Sequence, residues 1–400
     1  MTLSHGPALV AGGGIGGIAA ALALVRSGHD VVVLEQASDL GEIGAGIQLG
    51  PNGFAAFDAL GVGPTARGRA VYTDEMLMHD ALDETLVGRI PTGEAFRARF
   101  GNPYAVIHRA DVHRSLLEGA EASGRIEVRT ATQVVGFEQG SEGDAGVTAI
   151  DARGGRHRGA FLVGADGVKS AVRRQLVGDA PRVSGHVVYR AVVERSDFPA
   201  DLRWNAAAIW VGPDCHLVHY PLRGGEQYNV VVTFHSRERE EWSVREGSRA
   251  EVLSYFAGVC PRARQLIELP KDWKRWATAD REPIAAWSEG RVTLLGDAAH
   301  PTLQYLAQGA CMAMEDAVTL GEALRICDGD VPRAFALYER SRVARTARVV
   351  YSAREMGRIF HAKGVERLVR NGLWQGRSPE RFYDALEWLY GWTVESCLAR

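Results

Sequence analysis

The fold is decided near the start of the chain by Ala8-Leu-Val-Ala-Gly-Gly-Gly-Ile-Gly-Gly17, an apolar run that ends in glycines. A short, wholly apolar run bounded by glycine predicts a buried parallel strand, here over residues 8–11. The alanine- and leucine-rich stretch from Ile18 to Ser27 predicts a helix, and Val31–Leu34 predicts the next strand. Strand, glycine loop, helix and strand thus occur in the order of a Rossmann-like α/β unit.

The glycine loop and the acid after the second strand predict a dinucleotide-binding site. The loop fits G-x-G-x-x-G, in which Gly12 permits the tight turn, Gly14 lets backbone approach a pyrophosphate, and Gly17 lets helix and strand pack closely. Gly16 lies in the same loop and is a further candidate for cofactor binding. Glu35 ends the second strand, where its carboxylate can accept hydrogen bonds from ribose hydroxyls. The pattern leaves the cofactor open, because NAD and FAD both use this unit.

Another stretch, Gly296–Asp316, has the composition of a cofactor-binding loop that leads into a helix. It reads Gly-Asp-Ala-Ala-His-Pro-Thr-Leu-Gln-Tyr-Leu-Ala-Gln-Gly-Ala-Cys-Met-Ala-Met-Glu-Asp and follows an apolar run, Val292–Leu295, which predicts a strand. A carboxylate at a strand end, a tight Gly/Pro-rich loop and a helix N-terminus together suit a phosphorylated, hydroxylated cofactor. Asp297 and Gly309 are therefore candidate cofactor-binding residues.

A third motif, Gly164-Ala-Asp-Gly167, follows the predicted strand Ala160–Val163. Taken alone, Asp166 is equally well explained by an Asp-Gly turn or by an anion at a helix N-terminus. Together, however, the three motifs occur in the order found in the single-component flavoprotein aromatic hydroxylases, and the chain resembles that family. The resemblance implies that Asp166 contributes to FAD and nicotinamide binding, and that Asp297 holds the ribitol and ribose side of FAD.

The resemblance covers nearly the whole chain, from Ala8 to about Arg348, and implies a set of cofactors. FAD is expected to be bound tightly and non-covalently, with NADH and O2 as co-substrates. No second glycine fingerprint is present in the sequence, so nicotinamide is expected to bind transiently on the surface of the FAD domain. Members of the family deliver oxygen to an aromatic ring as an electrophilic flavin hydroperoxide, which implies a small, hydroxylated aromatic acid as the substrate.

Two more segments match family positions near the flavin. Arg109 lies at the start of a predicted helix, His108–Leu117, where its guanidinium would fork onto the FAD phosphates or ribose. The alternative is that Asp111 caps this helix and Arg109 is solvated. Gly44–Gln48 matches a flexible segment whose glycines let the backbone approach the flavin ring, which makes Gln48 a candidate cofactor-binding residue.

The chain is expected to fold as an α/β FAD-binding domain, an interleaved antiparallel β-sheet domain that binds the substrate, and C-terminal helices. The FAD-binding domain is discontinuous and comprises residues 1–75, 104–180 and 280–355. The substrate domain comprises 76–103 and 181–279, with strands predicted at four runs rich in β-branched and aromatic residues, 187–193, 206–211, 216–221 and 228–234. Residues 356–400 form the C-terminal helical segment. Three tryptophans near the end of the chain pack either on the core or on a second subunit, Trp374, Trp388 and Trp392.

The predicted strand 216–221 supplies the candidate catalytic base. Strand alternation places His216 and Tyr220 on one face, so both can line the same pocket. An electrophilic oxygen needs an electron-rich ring, and a neutral histidine can draw the proton away from a phenol at neutral pH. Judged on composition alone, a histidine in a strand is more often a packing or surface residue.

A closer resemblance, to the hydroxybenzoate hydroxylases of the family, sharpens this assignment. It depends on His216-x-x-x-Tyr-Pro together with Thr302–Gly309, Thr-Leu-Gln-Tyr-Leu-Ala-Gln-Gly. It implies that His216 and Gln304 jointly bind and polarise the substrate hydroxyl and that Tyr220 helps to hold the substrate. Relatives that act on salicylate or 6-hydroxynicotinate more often carry a Pro-His segment where this chain has Leu303–Tyr305, so these substrates stay as alternatives.

Composition argues against several other classes of protein. The net charge of -3 over 400 residues gives no electrostatic case for a nucleic-acid partner. No apolar run approaches the roughly 20 residues of a membrane span, and no signal peptide is recognisable. The five cysteines are scattered without C-x-x-C spacing, which suits reduced thiols in a cytoplasm and predicts no metal site. We expect a cytoplasmic homodimer.

Two functions from other classes fit the sequence less well. A flavin-dependent dehydrogenase or reductase would show a second nicotinamide-binding glycine loop or a redox cysteine pair, and the sequence has neither. A non-catalytic FAD-binding escort protein would need long inserted partner-binding segments, for which the chain is too compact.

Overall fold

The computed structural model of the chain describes residues 6–41, 45–140 and 146–398. Gly44, in the segment predicted to approach the flavin ring, lies outside the described residues. Within the described ranges the strands are, in chain order, β1 (Ala8–Ala11), β2 (Val31–Leu34), β3 (Gly46–Leu49), β4 (Val71–Tyr72), β5 (Glu75–Asp80), β6 (Leu86–Pro91), β7 (Ala105–His108), β8 (Ile126–Arg129), β9 (Val134–Gln139), β10 (Val147–Asp151), β11 (Arg156–Gly159), β12 (Leu162–Gly164), β13 (Arg182–Glu194), β14 (Ala206–Gly212), β15 (Cys215–Leu222), β16 (Gln227–His235), β17 (Val244–Glu246), β18 (Lys274–Asp280), β19 (Ser288–Glu289) and β20 (Val292–Leu294).

Helices dominate the last quarter of the chain. The helices of the described ranges are α1 (Ile15–Arg26), α2 (Pro51–Leu60), α3 (Gly63–Arg69), α4 (Glu94–Phe100), α5 (Arg109–Ser123), α6 (Ala171–Leu176), α7 (Arg249–Tyr255), α8 (Pro261–Glu268), α9 (Gly309–Ile326), α10 (Val331–Phe360), α11 (Gly364–Trp374), α12 (Pro379–Tyr390) and α13 (Val394–Leu398). Within those same ranges, none of them combines the length and apolar character that crossing a membrane requires.

The first sheet brings the three cofactor motifs together. It has six strands in the order β19-β20-β12-β1-β2-β8, and every pair is parallel except β19–β20. β1 pairs with β12 and β12 with β20, in register through Leu9, Leu162 and Val292. Because parallel neighbours end at the same edge, the loops after these three strands meet at the carboxyl edge, where α/β sheets bind their ligands.

Helix α1 begins earlier than the sequence indicated. The prediction placed its start at Ile18, whereas the helix starts at Ile15 because Gly14 is extended (φ -72°, ψ -173°) and serves as the N-cap. Gly16 and Gly17 therefore lie in the first helical turn. The free N–H groups of this turn face the loop after β1, as an anion-binding helix requires.

The second sheet contains the predicted substrate-binding strands. It has eight strands in the order β17-β18-β13-β16-β15-β14-β5-β6, and each of the four predicted runs falls within β13, β14, β15 or β16. The α/β fold class with an interleaved sheet is confirmed, although β5 and β14 pair in parallel where an antiparallel sheet was predicted. β5 comes from residues 75–80, far from β14 in the chain, so no hairpin constrains the pair to be antiparallel. The domain boundaries stay a prediction.

The tryptophans near the end of the chain lie in different environments. Trp392 is buried in the core beneath the first sheet, as the first of the two sequence alternatives proposed. Trp388 is half-buried and carries the guanidinium of Arg348 at 4.0 Å from its ring centre. Helix α11 leaves a row of apolar side chains between 54% and 75% exposed, Val365, Leu368, Val369 and Leu373.

Candidate functional site

The glycine loop after β1 is closed so tightly that two of its positions exclude any side chain. Gly12 has φ +102°, and a Cβ there would lie 2.4 Å from the carbonyl oxygen of Ala165. A Cβ at Gly17 would lie 1.9 Å from the carbonyl oxygen of Gly12. A Cβ at Gly14 would meet no described atom within 4 Å. The loop is therefore closely packed at Gly12 and Gly17 and open at Gly14. This is the shape that a pyrophosphate on the helix N-terminus needs.

Two side chains hold this loop from opposite sides. Glu35, at the end of β2, accepts a hydrogen bond from the N–H of Gly13 at 2.6 Å and another from the N–H of Ala37 at 2.7 Å. His113 on α5 places Nε2 2.7 Å from the carbonyl oxygen of Gly13, a contact the sequence did not indicate. Both carboxylate oxygens of Glu35 keep a second lone pair, so the predicted bonds to ribose stay possible and stay a prediction.

The start of α5 differs from the capping alternative considered for Arg109. The N-cap is His108, whose Nδ1 accepts from the N–H of Ala110 at 3.2 Å. Asp111 instead lies in the first turn, 3.7 Å from Nε of Arg223. Arg109 is exposed and lines the central cavity, where it lies at the N-terminus of a helix. Its contact with FAD phosphate or ribose stays a prediction.

Asp166 points into α6 more than into the cavity. Its Oδ2 accepts from the N–H groups of Ala171 at 2.7 Å and Val172 at 3.3 Å, while Oδ1 is buried with no hydrogen-bond partner among the described residues. Burial raises the pKa of Asp166. Its neighbours Ala165 and Gly167 line the cavity in its place. The helix-anion role that the sequence left open is therefore present, and a role in cofactor binding stays a prediction.

The loop after β20 presents Asp297 to the cavity. A single 3₁₀ turn, Gly296–Ala298, follows the strand, and Gly296 has φ +62°. The carboxylate of Asp297 is accessible from the cavity. Desolvation by the cavity walls raises its pKa, and the nearby His300 and Arg109 oppose this shift. An exposed carboxylate at a strand end can accept hydrogen bonds from ribitol or ribose hydroxyls, and this role of Asp297 stays a prediction.

A buried ionic network supports this loop from below, and sequence reasoning missed it. Asp316 on α9 accepts from the N–H of Gly296 at 3.0 Å and lies 2.5 Å from Nε2 of His300. Arg342 on α10 joins Asp316 at 2.6 Å to Glu315 at 2.7 Å, and these three ionic side chains are fully buried. Desolvation alone would raise the pKa of Asp316, but His300 and Arg342 lower it below its ordinary value.

One cavity of about 940 Å³ joins the carboxyl edge of the first sheet to the face of the second. Apolar side chains from β5, β14 and β15 make up much of its wall. Most of the predicted site residues line it, namely Gly14, Gly16, Gln48, Arg109, Asp297 and Gly309 towards the first sheet and His216, Tyr220 and Gln304 towards the second. Gly12, Gly17, Glu35 and Asp166 do not line it and shape it from behind.

His216 and Gln304 both lie beside Thr233 at the second-sheet end of the cavity. His216 on β15 pairs across the sheet with Thr233 on β16, and Nε2 of Gln304 lies 3.5 Å from Oγ1 of Thr233. Burial, and then the nearby His186, lower the pKa of His216 to about 3, so this imidazole is neutral at neutral pH. A neutral ring nitrogen beside an amide suits the binding of a hydroxyl group.

Tyr220 packs against the first residue of β3, the strand that also carries Gln48. A Cβ at Gly46 would lie 2.5 Å from the ring of Tyr220, and the N–H of Gly46 donates to Oδ1 of Asn229 at 2.8 Å. Burial raises the pKa of Tyr220, which keeps its hydroxyl protonated. Tyr104, which the sequence did not single out, donates its hydroxyl hydrogen bond to Oε1 of Gln48.

Arg190 is a cavity-lining cation that sequence reasoning also missed. It lies on β13, beside Val231 of β16, and its guanidinium is 5.9 Å from the ring centre of Trp276. Desolvation lowers the pKa of Arg190, with Tyr220 opposing the shift. Among the described residues no carboxylate forms an ion pair with the half-buried Arg190, so an anionic ligand in the cavity would offset the cost of desolvating its guanidinium.

Comparisons with known proteins agree on one family. The chain matches the FAD binding domain family over residues 6–353. A "3-hydroxybenzoate 6-hydroxylase" of Polaromonas naphthalenivorans is 74% identical over 394 residues, 98% of each chain, and one of Klebsiella oxytoca is 60% identical over 391 residues, again 98% of each. Among solved structures, Klebsiella pneumoniae HpxO complexed with FAD and uric acid superposes with a TM-score of 0.82 at 28% identity, covering 99% of this chain and 97% of that one.

Proposed function

Because this chain belongs to the FAD-binding domain family and is an FAD-dependent aromatic monooxygenase, we propose that it hydroxylates 3-hydroxybenzoate para to its phenol, giving 2,5-dihydroxybenzoate (gentisate). NADH and O2 are the proposed co-substrates. The placement of neutral His216 and of Gln304 beside Thr233, in a largely apolar cavity, is the observation that carries this proposal. The names of the two relatives at 74% and 60% identity support the choice of substrate.

The residues at the first-sheet end fit FAD. The open side of Gly14, the exposed cation of Arg109 and the exposed carboxylate of Asp297 match pyrophosphate and sugar hydroxyls, and the helix starting at Gly309 adds N–H groups. Bound FAD, once reduced by NADH, would supply oxygen in a form that attacks electron-rich ring carbons. The side chains at the second-sheet end have the task of binding the substrate and polarising its hydroxyl.

His216 polarises the substrate hydroxyl without holding its proton alone. A free phenol has a pKa of about 10, and burial lowers that of His216 to about 3, so complete transfer to this ring would cost roughly 9 kcal/mol. A hydrogen bond from the phenol to the ring, supported by the amide of Gln304, enriches the aromatic ring at much lower cost. The apolar walls keep water away from the reacting oxygen.

The position of the hydroxyl determines which carbon is attacked. If the hydroxyl is held by His216 and Gln304, the ring carbon para to it points back along the cavity, towards the loop of Asp297 and the proposed flavin position. An enzyme that attacks beside the hydroxyl would have to hold that group next to the flavin. The substrate carboxylate then faces the side wall, where Tyr220 and the cation of Arg190 are its proposed partners.

A substrate panel tests the proposal directly. 3-Hydroxybenzoate, salicylate and 6-hydroxynicotinate are added separately to the yellow holoprotein, NADH oxidation is followed, and products are separated by chromatography. We expect 3-hydroxybenzoate to accelerate NADH oxidation most and to yield 2,5-dihydroxybenzoate. Coupled hydroxylation of salicylate in preference to 3-hydroxybenzoate would overturn the proposal in favour of its main alternative, a salicylate 1-hydroxylase.

We also propose that the protein is a cytoplasmic homodimer that buries the exposed row on α11. Four apolar side chains exposed side by side on one helix face form a patch of the kind that subunit interfaces cover, and an isologous contact places the same helix on both sides. Light scattering after gel filtration should report a dimer for the wild type and a monomer for Leu368→Glu. A monomeric wild type would refute the dimer, and a dimeric Leu368→Glu would refute the surface.

A further inference from the structure

Behind His216, on the side away from the cavity, lies a second buried imidazole. Nδ1 of His216 is 2.8 Å from Nε2 of His361, and the two side chains are only 3% and 8% exposed. His216 lines the cavity, whereas His361 is not among its lining residues. His361 can therefore reach a substrate only through His216.

The fold fixes the distance between the two rings. His361 directly follows α10, and its N–H donates to the carbonyl oxygen of Gly357 at 3.1 Å. Its carbonyl oxygen accepts from the N–H of Asp214 at 3.1 Å, and Asp214 precedes His216 by two residues at the turn into β15. The end of α10 and the start of β15 are thus joined by backbone at the histidine pair.

A hydrogen bond between two neutral imidazoles contains one proton, and its position decides what His216 can do. If Nδ1 of His216 donates to His361, then Nε2 of His216 is bare and accepts from a substrate hydroxyl. If His361 donates instead, Nε2 of His216 carries the hydrogen and can only donate to the substrate. Only the first arrangement draws a proton away from a phenol.

The groups around His361 are neutral or cationic. Its ring centre lies 5.5 Å from that of His186 and 5.6 Å from that of Tyr305, and Arg370 and His235 also act on it electrostatically. Burial, followed by these neighbours, lowers the pKa of His361 well below its ordinary value. Metal binding is the other common use of clustered histidines, but no group of three potential ligands in the described ranges is placed to hold an ion.

We propose that His361 is a positioning residue that holds Nε2 of His216 in its accepting form and relays the substrate proton away from the cavity. The phenol O–H breaks as Nε2–H forms on His216, and Nδ1–H of His216 breaks as Nε2–H forms on His361. His216 is neutral before and after, and His361 gives up its Nδ1 proton to solvent. When the hydroxylated ring regains its aromaticity, the reverse sequence returns a proton to the substrate oxygen and restores both tautomers. The inference rests on the proposed function, because it needs a phenolic substrate.

The relay explains how so weak a base can serve the reaction. His216 never has to carry a positive charge inside the cavity, because each proton it accepts on one nitrogen is matched by one it gives up on the other. The proton passes through His361 to solvent and does not rest there, because burial and the neighbouring histidines and Arg370 oppose a positive charge on this ring.

Two variants separate relay from mere packing. His361→Phe keeps a ring but cannot accept from His216, whereas His361→Gln offers a carbonyl oxygen that accepts Nδ1–H without passing it on. Nitrogen NMR of histidine-labelled holoprotein reports the tautomer of His216 independently of turnover. Rates of product formation are measured from neutral to alkaline pH, with His235→Phe as the control from the same cluster.

We expect 2,5-dihydroxybenzoate formation by His361→Phe to fall about tenfold at neutral pH and to recover as pH rises towards the phenol pKa of about 10. Substrate affinity should change less than about threefold, and the tautomer signal should be lost. His361→Gln should keep the tautomer signal but show the same alkaline recovery, while His235→Phe should match the wild type.

The outcomes against the relay are distinct from those against the proposed function. A His361→Gln protein with a wild-type rate and pH profile would overturn the relay, even if His361→Phe fails to fold. A rate loss in both variants that alkaline pH does not restore would show packing alone and would also overturn it. Wild-type protein that forms no 2,5-dihydroxybenzoate would instead refute the proposed function.

Discussion

The two ends of the cavity present different parts of the polypeptide to their ligands. At the first-sheet end the surface is mostly backbone, in a glycine loop and helix N-termini, and charged side chains such as Asp316 and Arg342 support it from below. At the second-sheet end the surface is side chains on a regular sheet, and neutral histidines lie behind it. Recognition by backbone needs residues without side chains, such as the glycines of the loop. Recognition by side chains needs particular functional groups, such as the imidazole of His216.

The sharpest way to break this contrast is a single methyl group in the glycine loop. In Gly17→Ala the new Cβ would lie 1.9 Å from the carbonyl oxygen of Gly12, so the loop must open even without cofactor. We expect purified protein without FAD and with a lower melting temperature. Gly14→Ala is the matched control, because its Cβ meets no described atom within 4 Å and its φ of -72° suits alanine. Gly14→Ala should have the melting temperature of wild-type apoprotein and lose only affinity for FAD. Equal melting temperatures for Gly14→Ala and Gly17→Ala would contradict the close packing assigned to Gly17.

Disrupting the ionic network of Glu315, Asp316 and Arg342 should have a smaller effect than closing the glycine loop with a methyl group. It should still lower the free energy of unfolding more than any substitution at the second-sheet end. Arg342→Met leaves the buried Asp316 without a guanidinium partner, whereas Glu315 keeps its ion pair with Arg345 at 2.7 Å. Removing one partner of a buried ion pair typically costs about 3–5 kcal/mol. The free energy of unfolding from urea titration measures this. Arg348→Met, which removes an exposed cation stacked on Trp388, should cost less than about 1 kcal/mol. Similar decreases in the free energy of unfolding for Arg342→Met and Arg348→Met would refute the stabilising role of the buried network.

Loss of the side chain that defines the second-sheet end should affect chemistry and not stability. We expect His216→Ala to form product about a hundredfold more slowly and to release most reducing equivalents as hydrogen peroxide, since the substrate ring is no longer polarised. FAD content should be unchanged. Peroxide and product are quantified per NADH consumed, with the exposed His235→Ala as control. Wild-type coupling in His216→Ala would disprove the assignment of the base.

The smallest effect is expected from mild acid, and it should weaken the second-sheet end first. Burial lowers the pKa of His216 to about 3 and of His186 to about 4, so below about pH 6.5 the unfolded chain binds protons that the folded chain refuses. The free energy of unfolding should therefore fall with pH, by about 1 kcal/mol per histidine at about pH 5.5. His216→Gln should show a shallower decline, measured by urea unfolding at several pH values.

The ionic network at the first-sheet end should lose its stabilising effect at a lower pH than the buried histidines do. Asp316 and Glu315 have lowered pKa values, so their stabilisation is present above the ordinary carboxyl pKa and is lost only as pH falls through the lower folded value. Acid should therefore loosen the histidine region before the ionic network. Hydrogen exchange at mildly acidic pH that protects β15 longer than α9 would contradict this order.

The same contrast determines what the sequence could predict. The three cofactor motifs could be assigned because each follows an apolar strand at short range, and the order of parallel strands then places them at one edge. His216 and Tyr220 could be placed on one face by alternation, but their role depended on family resemblance. The partners His113, Tyr104, Arg190, Arg342 and His361 lay out of reach because each contact joins distant parts of the chain, up to 145 residues apart for His216 and His361. The parallel pairing of β5 with β14 has no local signature either.

The stretch from Gly296 to Asp316 has a consequence for how such an enzyme can change. Its Asp297 and Gln304 line the two ends of the cavity, which we propose for cofactor and substrate respectively, and Asp316 ties its end back to its beginning by accepting from the N–H of Gly296. Under these assignments we expect a substitution there that alters the preferred acid also to weaken the binding of FAD, so that variation in this stretch is constrained twice. In strand β15, by contrast, both predicted site residues, His216 and Tyr220, lie at the second-sheet end of the cavity. New substrate preferences should therefore be sought, in directed evolution, in the sheet and not in the loop.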